Sequence, residues 1–595
     1  RVLAATQLSN KLFYGDNLEI LRKRKYIQDE SVDLCYIDPP FNSKRKYNQI
    51  YNNIGKEDQA QAQAFIDTWT WDEAAEKGYE EITSNFGEVY TEQSIDLIIG
   101  LGKVLRKGSL FSYLVSMTLR IAEIYRILKP TGSFYLHCDP TASHYLKLVI
   151  DSIFCAGRKG EYQNEIIWRR TGQHNKVLRY GPIHDVIFFY TKSDTWTWNF
   201  PKRPFMKGHI SANFIFDGKN YKTNYYGNVL TGSGIRGGES GKPWRGFDPT
   251  AKNRHWAIPG AVLEDIEDDL SELTQHEKLD RLLELGFITI KEGEAWPIYG
   301  RYLNERDGQA VSDIWAFQPY TNDTVFQTKK GIDEDVRWLS TQDKERLGYP
   351  TQKPEGLLER IINASTNEGD LILDAYCGCG TTIAVAENLK RKWIGIDITY
   401  QSISLILKRL EDSYGKVILN QIELNGVPKD MKSAVALALK KEDKVRKEFE
   451  KWAVLTYSNN RAIINEKKGG DGGIDGIVYL MDMDEKAKPE FKKAIFSVKS
   501  DKVLSPKVVR ELNGAMEREG AVMGFLITLY PMPNLVKDSK KYGIYKNSIV
   551  GHSNNKIEVI NVQEIFDGKR MELPTSKDVL KKADLKKADL PELGF

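Results

Sequence analysis

Cysteine is scarce in this chain, five among 595 residues, and no two stand as Cys-x-x-Cys or in a zinc-ligand spacing. That excludes a disulfide framework and a structural zinc module; Cys35, Cys138, Cys155, Cys377 and Cys379 read as reduced core or turn residues. Long apolar runs are missing too. None reaches the roughly 20 residues of a membrane-spanning helix, and no basic-apolar leader is visible, so a soluble cytoplasmic protein is expected. Neither sign of charge dominates, with 85 Lys and Arg against 82 Asp and Glu and a net charge of +3. Contact with a polyanion must therefore come from local basic patches rather than from the field of the whole molecule. A phosphate loop is also absent. The stretch Arg236-Gly-Gly-Glu-Ser-Gly-Lys242-Pro243 fails as one, because Arg236 fills the first glycine position and Pro243 replaces the Ser or Thr that holds magnesium. ATP-driven translocation would need a separate subunit. The chain is too long for one core and suggests about three or four domains.

The apolar run Cys35-Tyr36-Ile37 ends in Asp38-Pro39-Pro40-Phe41. Two prolines fix φ at about −65° and remove two backbone donors, so the turn presents a rigid carbonyl beside a carboxylate. Both groups are acceptors. Together they can accept both hydrogens of an exocyclic NH₂ and leave its lone pair aimed at an electrophile, while Phe41 offers a face on which a base can stack. Taken alone, the tetrapeptide also fits an ordinary proline turn after a strand.

A second motif lies far downstream: Leu371-Ile-Leu-Asp374-Ala-Tyr-Cys-Gly378-Cys-Gly380-Thr381-Thr382, then an apolar-periodic helix, then Lys392-Trp-Ile-Gly-Ile-Asp397. The order strand, glycine turn, helix, strand is the first half of a doubly wound nucleotide fold. The third glycine of the dinucleotide fingerprint, the one that lets a helix close over a pyrophosphate, is replaced by Ile383. A cofactor without phosphates is favoured. Asp397 follows Asp374 by 23 residues, near the roughly 20-residue offset at which an acid meets ribose hydroxyls. S-adenosylmethionine fits, with a ribose, an adenine and a cationic sulfonium.

Together these residues resemble the amino-methyltransferases that act on DNA, in the permuted, beta-class order in which the Asp-Pro-Pro-aromatic segment precedes the cofactor half. Supporting segments stand in the same order: Phe13-Tyr-Gly-Asp16-Asn17, Leu128 to His137-Cys-Asp139, Asn164-Glu-Ile-Ile-Trp168, His184-Asp185 and Pro350-Thr-Gln-Lys-Pro354. The resemblance covers roughly residues 10–420. It implies that Asp38 and Pro39, with Pro40 completing the turn, hold the target amino nitrogen and that Phe41 stacks on a base flipped from the duplex. Asp374, Gly378, Gly380, Thr381 and Asp397 would line the cofactor site, with Asp16 near its adenine and Thr351 and Lys353 flanking its methionine moiety. Adenine N6 is preferred over cytosine N4 because Asp rather than Ser opens the tetrapeptide, a family tendency. An RNA substrate ranks low, since ribosomal RNA methyltransferases with this tetrapeptide usually keep the cofactor motif first.

Residues 196–345 differ in texture, with interleaved Arg, Lys and aromatic residues among glycines. Arg236, Lys242, Trp244, Arg245, Arg254, Trp256 and Arg301 suit phosphate contact and base reading, which makes this insertion the expected target-recognition domain. Its stretch 262–286, charged with leucines at helical spacing, reads as a surface helical hairpin without chemistry. After a lysine-rich helix near 430–450, the run from Phe449-Glu450 through Asp471-Gly-Gly-Ile-Asp475-Gly476 to Ser497-Val-Lys499 resembles the Mrr-like restriction endonuclease domain. The resemblance implies Asp475 as a Mg²⁺ ligand, Lys499 as a charge stabiliser, and Glu450 as a further oxygen donor. Ser497 departs from the pattern, since relatives usually carry Glu or Gln there and a hydroxyl ligates metal less well than a carboxylate.

The expected architecture is α/β. A Rossmann-like, doubly wound methyltransferase sheet spans 1–195 and 346–430, the insertion 196–345, a C-terminal α/β restriction-endonuclease-like domain 431–575, and a flexible tail with a duplicated Lys-Lys-Ala-Asp-Leu 576–595. The expected function is a prokaryotic, nucleoid-associated restriction-modification enzyme acting on double-stranded DNA, for which the family resemblance implies a homodimer. The alternatives are a cytosine N4 methyltransferase, or an orphan methylating regulator whose C-terminal domain only binds DNA.

Overall fold

The computed structural model describes residues 10–40, 71–172 and 180–574, apart from short interruptions at 217, 224–226, 264–265, 267–268, 305–306, 341, 348, 350, 440–442, 460, 466–472, 484–488, 550 and 552. Phe41 and the expected tail therefore lie outside the described residues.

Among the described residues nine strands form the principal sheet: β1 (Asn10–Tyr14), β2 (Val32–Ile37), β3 (Leu128–Cys138), β4 (Glu161–Arg169), β5 (His184–Thr191), β6 (Ile314–Trp315), β7 (Leu371–Asp374), β8 (Lys392–Asp397) and β9 (Ile422–Asn425). Their spatial order is β6-β4-β5-β3-β2-β7-β8-β1-β9. From β3 through β9 every pairing is parallel, while β5 runs antiparallel to both β3 and β4. The central strands are buried along nearly their whole length, so they read as continuous apolar runs rather than alternating ones.

This is the doubly wound α/β sheet expected from the glycine-turn motif. The strand order explains how two remote motifs meet. β2 pairs directly with β7, Leu34 beside Ile372 and Cys35 beside Leu373, so the Asp38 turn and the glycine turn leave neighbouring strands at the same sheet edge. In open α/β sheets that carboxyl-end edge is where ligands bind.

Two helices flank the cofactor half: α1 (Asn17–Arg22), capped by the Asp16 side chain on the Glu19 N–H, and α2 (Ser109–Ile127), which is buried over most of its length. After the glycine turn come α3 (Thr381–Asn388) and, beyond β8, α4 (Tyr400–Tyr414). Gly378 and Gly380 have φ of 49° and 76°, the left-handed region where a Cβ is costly. Ile383, standing where the fingerprint has its third glycine, meets a glycine on the opposing surface instead. A Cβ at Gly395 of β8 would lie 2.4 Å from the Ile383 Cδ1. Close helix–sheet packing is retained with the small residue transferred from helix to strand.

The C-terminal region has its own sheet of β10 (Ile463–Ile464), β11 (Gly476–Met483), β12 (Pro489–Lys499), β13 (Met523–Thr528) and β14 (Ile557–Asn561), in that spatial order. The first three are antiparallel, and β12, β13 and β14 are parallel. The lysine-rich stretch before it is two helices, Met431–Ala438 and α5 (Asp443–Tyr457). α5 buries Phe449, Ala453 and Val454. It also meets the principal sheet, since the Tyr14 hydroxyl donates to Glu448 Oε2 at 2.5 Å and the Tyr400 and Thr456 hydroxyls lie 3.2 Å apart.

Residues 200–312 and 316–335 form a separate compact unit, and 313–315 return to the principal sheet as β6. The unit's core comprises Leu230, Trp244, Trp256, Val262, Leu279, Leu282, Ile288 and Tyr299. Stretch 262–286 is thus not a surface hairpin. Its main helix, Gln275–Glu284, is closed by a capping box at Thr274 and buries Leu279 and Leu282, because leucines three apart share the face that a core can cover. Among the described residues no helix is long and apolar enough to cross a membrane.

Candidate active sites

Five adjacent parallel strands each deliver an aspartate at the carboxyl edge of the principal sheet. In spatial order they are Asp139 after β3, Asp38 after β2, Asp374 closing β7, Asp397 closing β8 and Asp16 after β1. Such a row repels a pyrophosphate and suits a cation together with hydroxyl and amino donors. S-adenosylmethionine, with its sulfonium and ribose, fits this donor set.

The carboxylates are held in different ways. Asp374 accepts from the Thr382 hydroxyl at 2.6 Å and the Tyr376 N–H at 3.0 Å. Burial nevertheless pushes its carboxyl up to about 7, against those two bonds and with Asp38 and Asp397 adding repulsion. Asp397 receives the Gly378 N–H at 2.9 Å and both the N–H and hydroxyl of Thr399 at 2.9 Å; burial also raises it. It therefore bridges β8 to the glycine turn.

Asp38 forms a short ion pair with the Lys353 ammonium. The segment carrying Lys353 crosses both motifs. Tyr349 lies against Gly378, where a Cβ would come within 3.3 Å of its ring, and the Thr381 hydroxyl donates to the Lys353 carbonyl at 3.3 Å. Thr351 is exposed. The structure thus brings Asp38, Lys353, Asp374, Gly378, Gly380, Thr381 and Asp397 to one sheet edge, with Pro39 and Pro40 continuing the Asp38 turn.

Behind Asp38 runs a buried polar chain whose members the sequence displays without marking their connection. The Tyr36 hydroxyl lies 2.9 Å from His137 Nδ1, His137 Nε2 lies 3.2 Å from Asp185 Oδ2, and Arg170 Nε lies 2.9 Å from Asp185 Oδ1. Burial works to raise Asp185, but His137, Arg170 and Lys353 outweigh it and hold the carboxyl below its ordinary range. An ionised Asp185 accepts from Nε2, which leaves Nδ1 to accept from Tyr36. Arg170 then borders a cleft of about 140 Å³ that Trp168, Trp338, Tyr349 and Gln352 also line.

In the C-terminal sheet, Asp475 is locked to the strand bearing Ser497 and Lys499. Its N–H donates to the Phe496 carbonyl at 2.8 Å, and its Oδ2 accepts from the Val498 N–H at 2.7 Å. Ser497 and Lys499, two apart on β12, share a face. Glu450 projects from α5 toward the same place. Burial and then the Asp475 charge push it up to about 7, with Arg446, Lys447 and Lys499 pulling the other way. Two carboxylates and a hydroxyl offer only oxygen, which fits Mg²⁺ held by one or two carboxylates and water. Among the described residues no group of three or more His, Cys, Asp or Glu is arranged to hold a metal.

The insertion corrects part of the expected DNA-contact set. Trp244 and Trp256 are 3% and 1% exposed and pack edge to face in the core, their indoles donating to Asp280 and to the Lys242 carbonyl; a polar handle that can be satisfied internally lets Trp serve as core. Arg254 is spent on Thr231, and Arg301 on Asp307. Arg236, Lys242 and Arg245 are exposed, Arg245 pairing with Asp280 at the surface.

Residues 32–408 match the family model described as DNA methylase, and residues 445–543 match one described as restriction endonuclease. The chain is 29% identical over 306 residues to the type II methyltransferase M.EcaI of Enterobacter cloacae, covering 50% of this chain and 57% of that protein. It is 59% identical over 105 residues to the type II methyltransferase M2.DpnII of Streptococcus pneumoniae, 18% of this chain and 32% of the relative. Over 76 residues it is 54% identical to the DNA adenine methyltransferase YhdJ of Escherichia coli, 13% of this chain and 25% of that one. The chain thus spans from a quarter to a little over half of the length of these relatives. With a doubly wound sheet, both motifs at one edge of it, and a family match over more than half of its length, the chain belongs to the DNA methylase family.

Proposed function

We propose that the chain transfers a methyl group from S-adenosylmethionine to adenine N6 at specific sites in double-stranded DNA, and that its C-terminal domain cleaves DNA lacking that mark. The observation that supports this reading is the pairing of β2 with β7, which leaves the Asp38 turn beside the glycine turn. The donor supplies an electrophilic methyl. Asp38 and the Pro39 carbonyl accept the two amino hydrogens, orient the nitrogen lone pair, and stabilise positive charge as it develops there. The cleft beside Arg170, which Trp168, Trp338 and Tyr349 also line, would receive the flipped base, and contacts there would offset the unstacking cost of a few kcal/mol. Adenine is favoured by Asp at the head of the tetrapeptide and by the named activity of the Escherichia coli relative; cytosine N4 is the competing target.

For the C-terminal domain, Asp475 and Glu450 would hold Mg²⁺ and Lys499 would stabilise charge on the attacked phosphate. A nuclease that cut its own product would be self-destructive, so cleavage is directed at unmodified DNA. Exposed Arg236, Lys242 and Arg245 supply phosphate contacts. A dimer, or a separate ATP-hydrolysing subunit, would be the additional partners, at the nucleoid of a prokaryotic cell.

The full chain is tested on unmodified plasmid with S-adenosylmethionine and Mg²⁺ separately and together. N6-methyladenine in the digested nucleosides and cleavage of the unmethylated plasmid are expected. N4-methylcytosine would overturn the base assignment, and intact plasmid under every condition would reduce the C-terminal domain to DNA binding. Ser497 in place of the usual Glu or Gln favours that second reading.

A further inference from the structure

We propose that Arg120 is a positioning residue for the methyl-donor site: it fixes the Asp16 carboxylate and the spacing between the ends of β1 and β7. The proposal rests on the reading that the donor lies across Asp16, Asp374 and Asp397.

Arg120 projects from α2 and is nearly enclosed, its side chain 13% exposed against 36% for Asp16. Its guanidinium reaches four groups on three residues. Nη2 donates to Asp16 Oδ2 at 3.2 Å, Nε to Asn17 Oδ1 at 2.6 Å, and Nη1 to the Ser116 hydroxyl at 2.8 Å and the Ser116 carbonyl at 3.1 Å. Asp16 Oδ1 meanwhile caps α1 on the Glu19 N–H at 3.1 Å, so both carboxylate oxygens are placed before any ligand arrives.

Asn17 extends the effect. Held by Arg120 through its oxygen, it donates Nδ2 to the Ala375 carbonyl at 2.8 Å, in the turn that follows β7. β1 and β7 are not neighbours, since β8 lies between them. One guanidinium therefore ties the two banks of the carboxylate row across the strand that separates them. A planar, permanently charged fork does this; an ammonium, a point donor on a flexible stem, cannot hold Asp16 and Asn17 in one plane. Preorganisation of this kind acts on donor affinity rather than on chemistry at saturation.

The test titrates S-adenosylmethionine into the full chain by calorimetry and measures steady-state methylation for wild type, Arg120→Lys, Arg120→Met, Asp16→Ala and the double variant Arg120→Met/Asp16→Ala. Arg120→Met is expected to weaken donor binding about tenfold to a hundredfold and to raise the donor KM in step. DNA KM and kcat at saturating donor should stay within about threefold. Arg120→Lys, which keeps the charge and most of the volume, should recover only part of the affinity and reports the effect if the Met variant fails to fold. With Asp16 already removed, losing Arg120 should cost less than about threefold more, the non-additivity of residues acting through one another. Donor affinity within twofold of wild type in both Arg120 variants, or multiplicative effects in the double variant, overturns the proposal alone. A wild-type chain that does not bind the donor overturns the underlying reading and this proposal with it.

Discussion

Asp38 and Glu450 are two half-buried carboxyl groups whose surroundings give them opposite needs. Asp38 has its cation in Lys353. Replacing it with Ala removes the charged acceptor for the amino group, and methyl transfer should fall by about 10²–10³-fold or more while calorimetric affinity for S-adenosylmethionine stays within about threefold. A variant that methylates at the wild-type rate would remove Asp38 from the chemistry. Glu450 instead faces another carboxylate, and its value of about 7 stands above the ordinary 4.5. The folded chain thus keeps this proton where the unfolded chain has lost it. Stability contributed by the group is complete below about pH 4.5, falls as pH rises toward 7, and is flat beyond. A bound divalent cation needs the ionised form, so Mg²⁺ affinity should drop up to tenfold for each pH unit below 7 and level off above it. Titration calorimetry across pH 5.5–8.5 would show this slope, and Glu450→Gln should flatten it.

At the level of elements, the glycine turn carries the tightest constraints. Gly380 caps α3 with φ of 76°, and a Cβ there would lie 2.6 Å from Ile406 Cγ1 on α4. Gly380→Ala combines a left-handed penalty of about 1 kcal/mol with overpacking of about 1–3 kcal/mol. It should destabilise the fold by about 2–4 kcal/mol in urea denaturation and weaken donor binding, because the strained turn is the one that Asp397 holds through Gly378. The glycine spacing itself was readable, and so were the strands and helix around it. The replacement of the fingerprint's third glycine by Ile383 was readable only as a departure; its compensation by Gly395 belongs to the packing of helix on strand, which no local pattern encodes. The tryptophans of the insertion depart from their expected surface role for a related reason. Interleaved with Arg and Lys, Trp244 and Trp256 have the composition of a nucleic-acid surface, but their rings pack into the core of the unit beside Leu230, Leu279, Leu282 and Ile288.

At the scale of the whole molecule, a DNA methylase match and a restriction endonuclease match share one chain. Asp475→Asn removes the carboxylate that clamps β12 and would ligate metal. It should abolish plasmid cleavage while leaving methylation within about twofold of wild type, as gel and nucleoside assays on the same preparation would show. Loss of both activities would mean that the C-terminal sheet is required for the methyltransferase fold, a outcome to which the Tyr14–Glu448 bond would then be relevant.

Local sequence by itself determined the turn chemistry: prolines set the Asp38 acceptor, glycines set the phosphate-free turn, and apolar runs set the buried parallel strands, since these follow from dihedral limits and side-chain polarity over a few residues. Tertiary structure decided what depends on neighbours in space. The order of strands put five aspartates in a row, α2 brought Arg120 to Asp16, and β5 joined Asp185 to His137. Coulomb interaction and desolvation act through space over a few ångströms, so groups as far apart in the chain as Asp38 and Lys353 acquire their roles only when folding makes them adjacent.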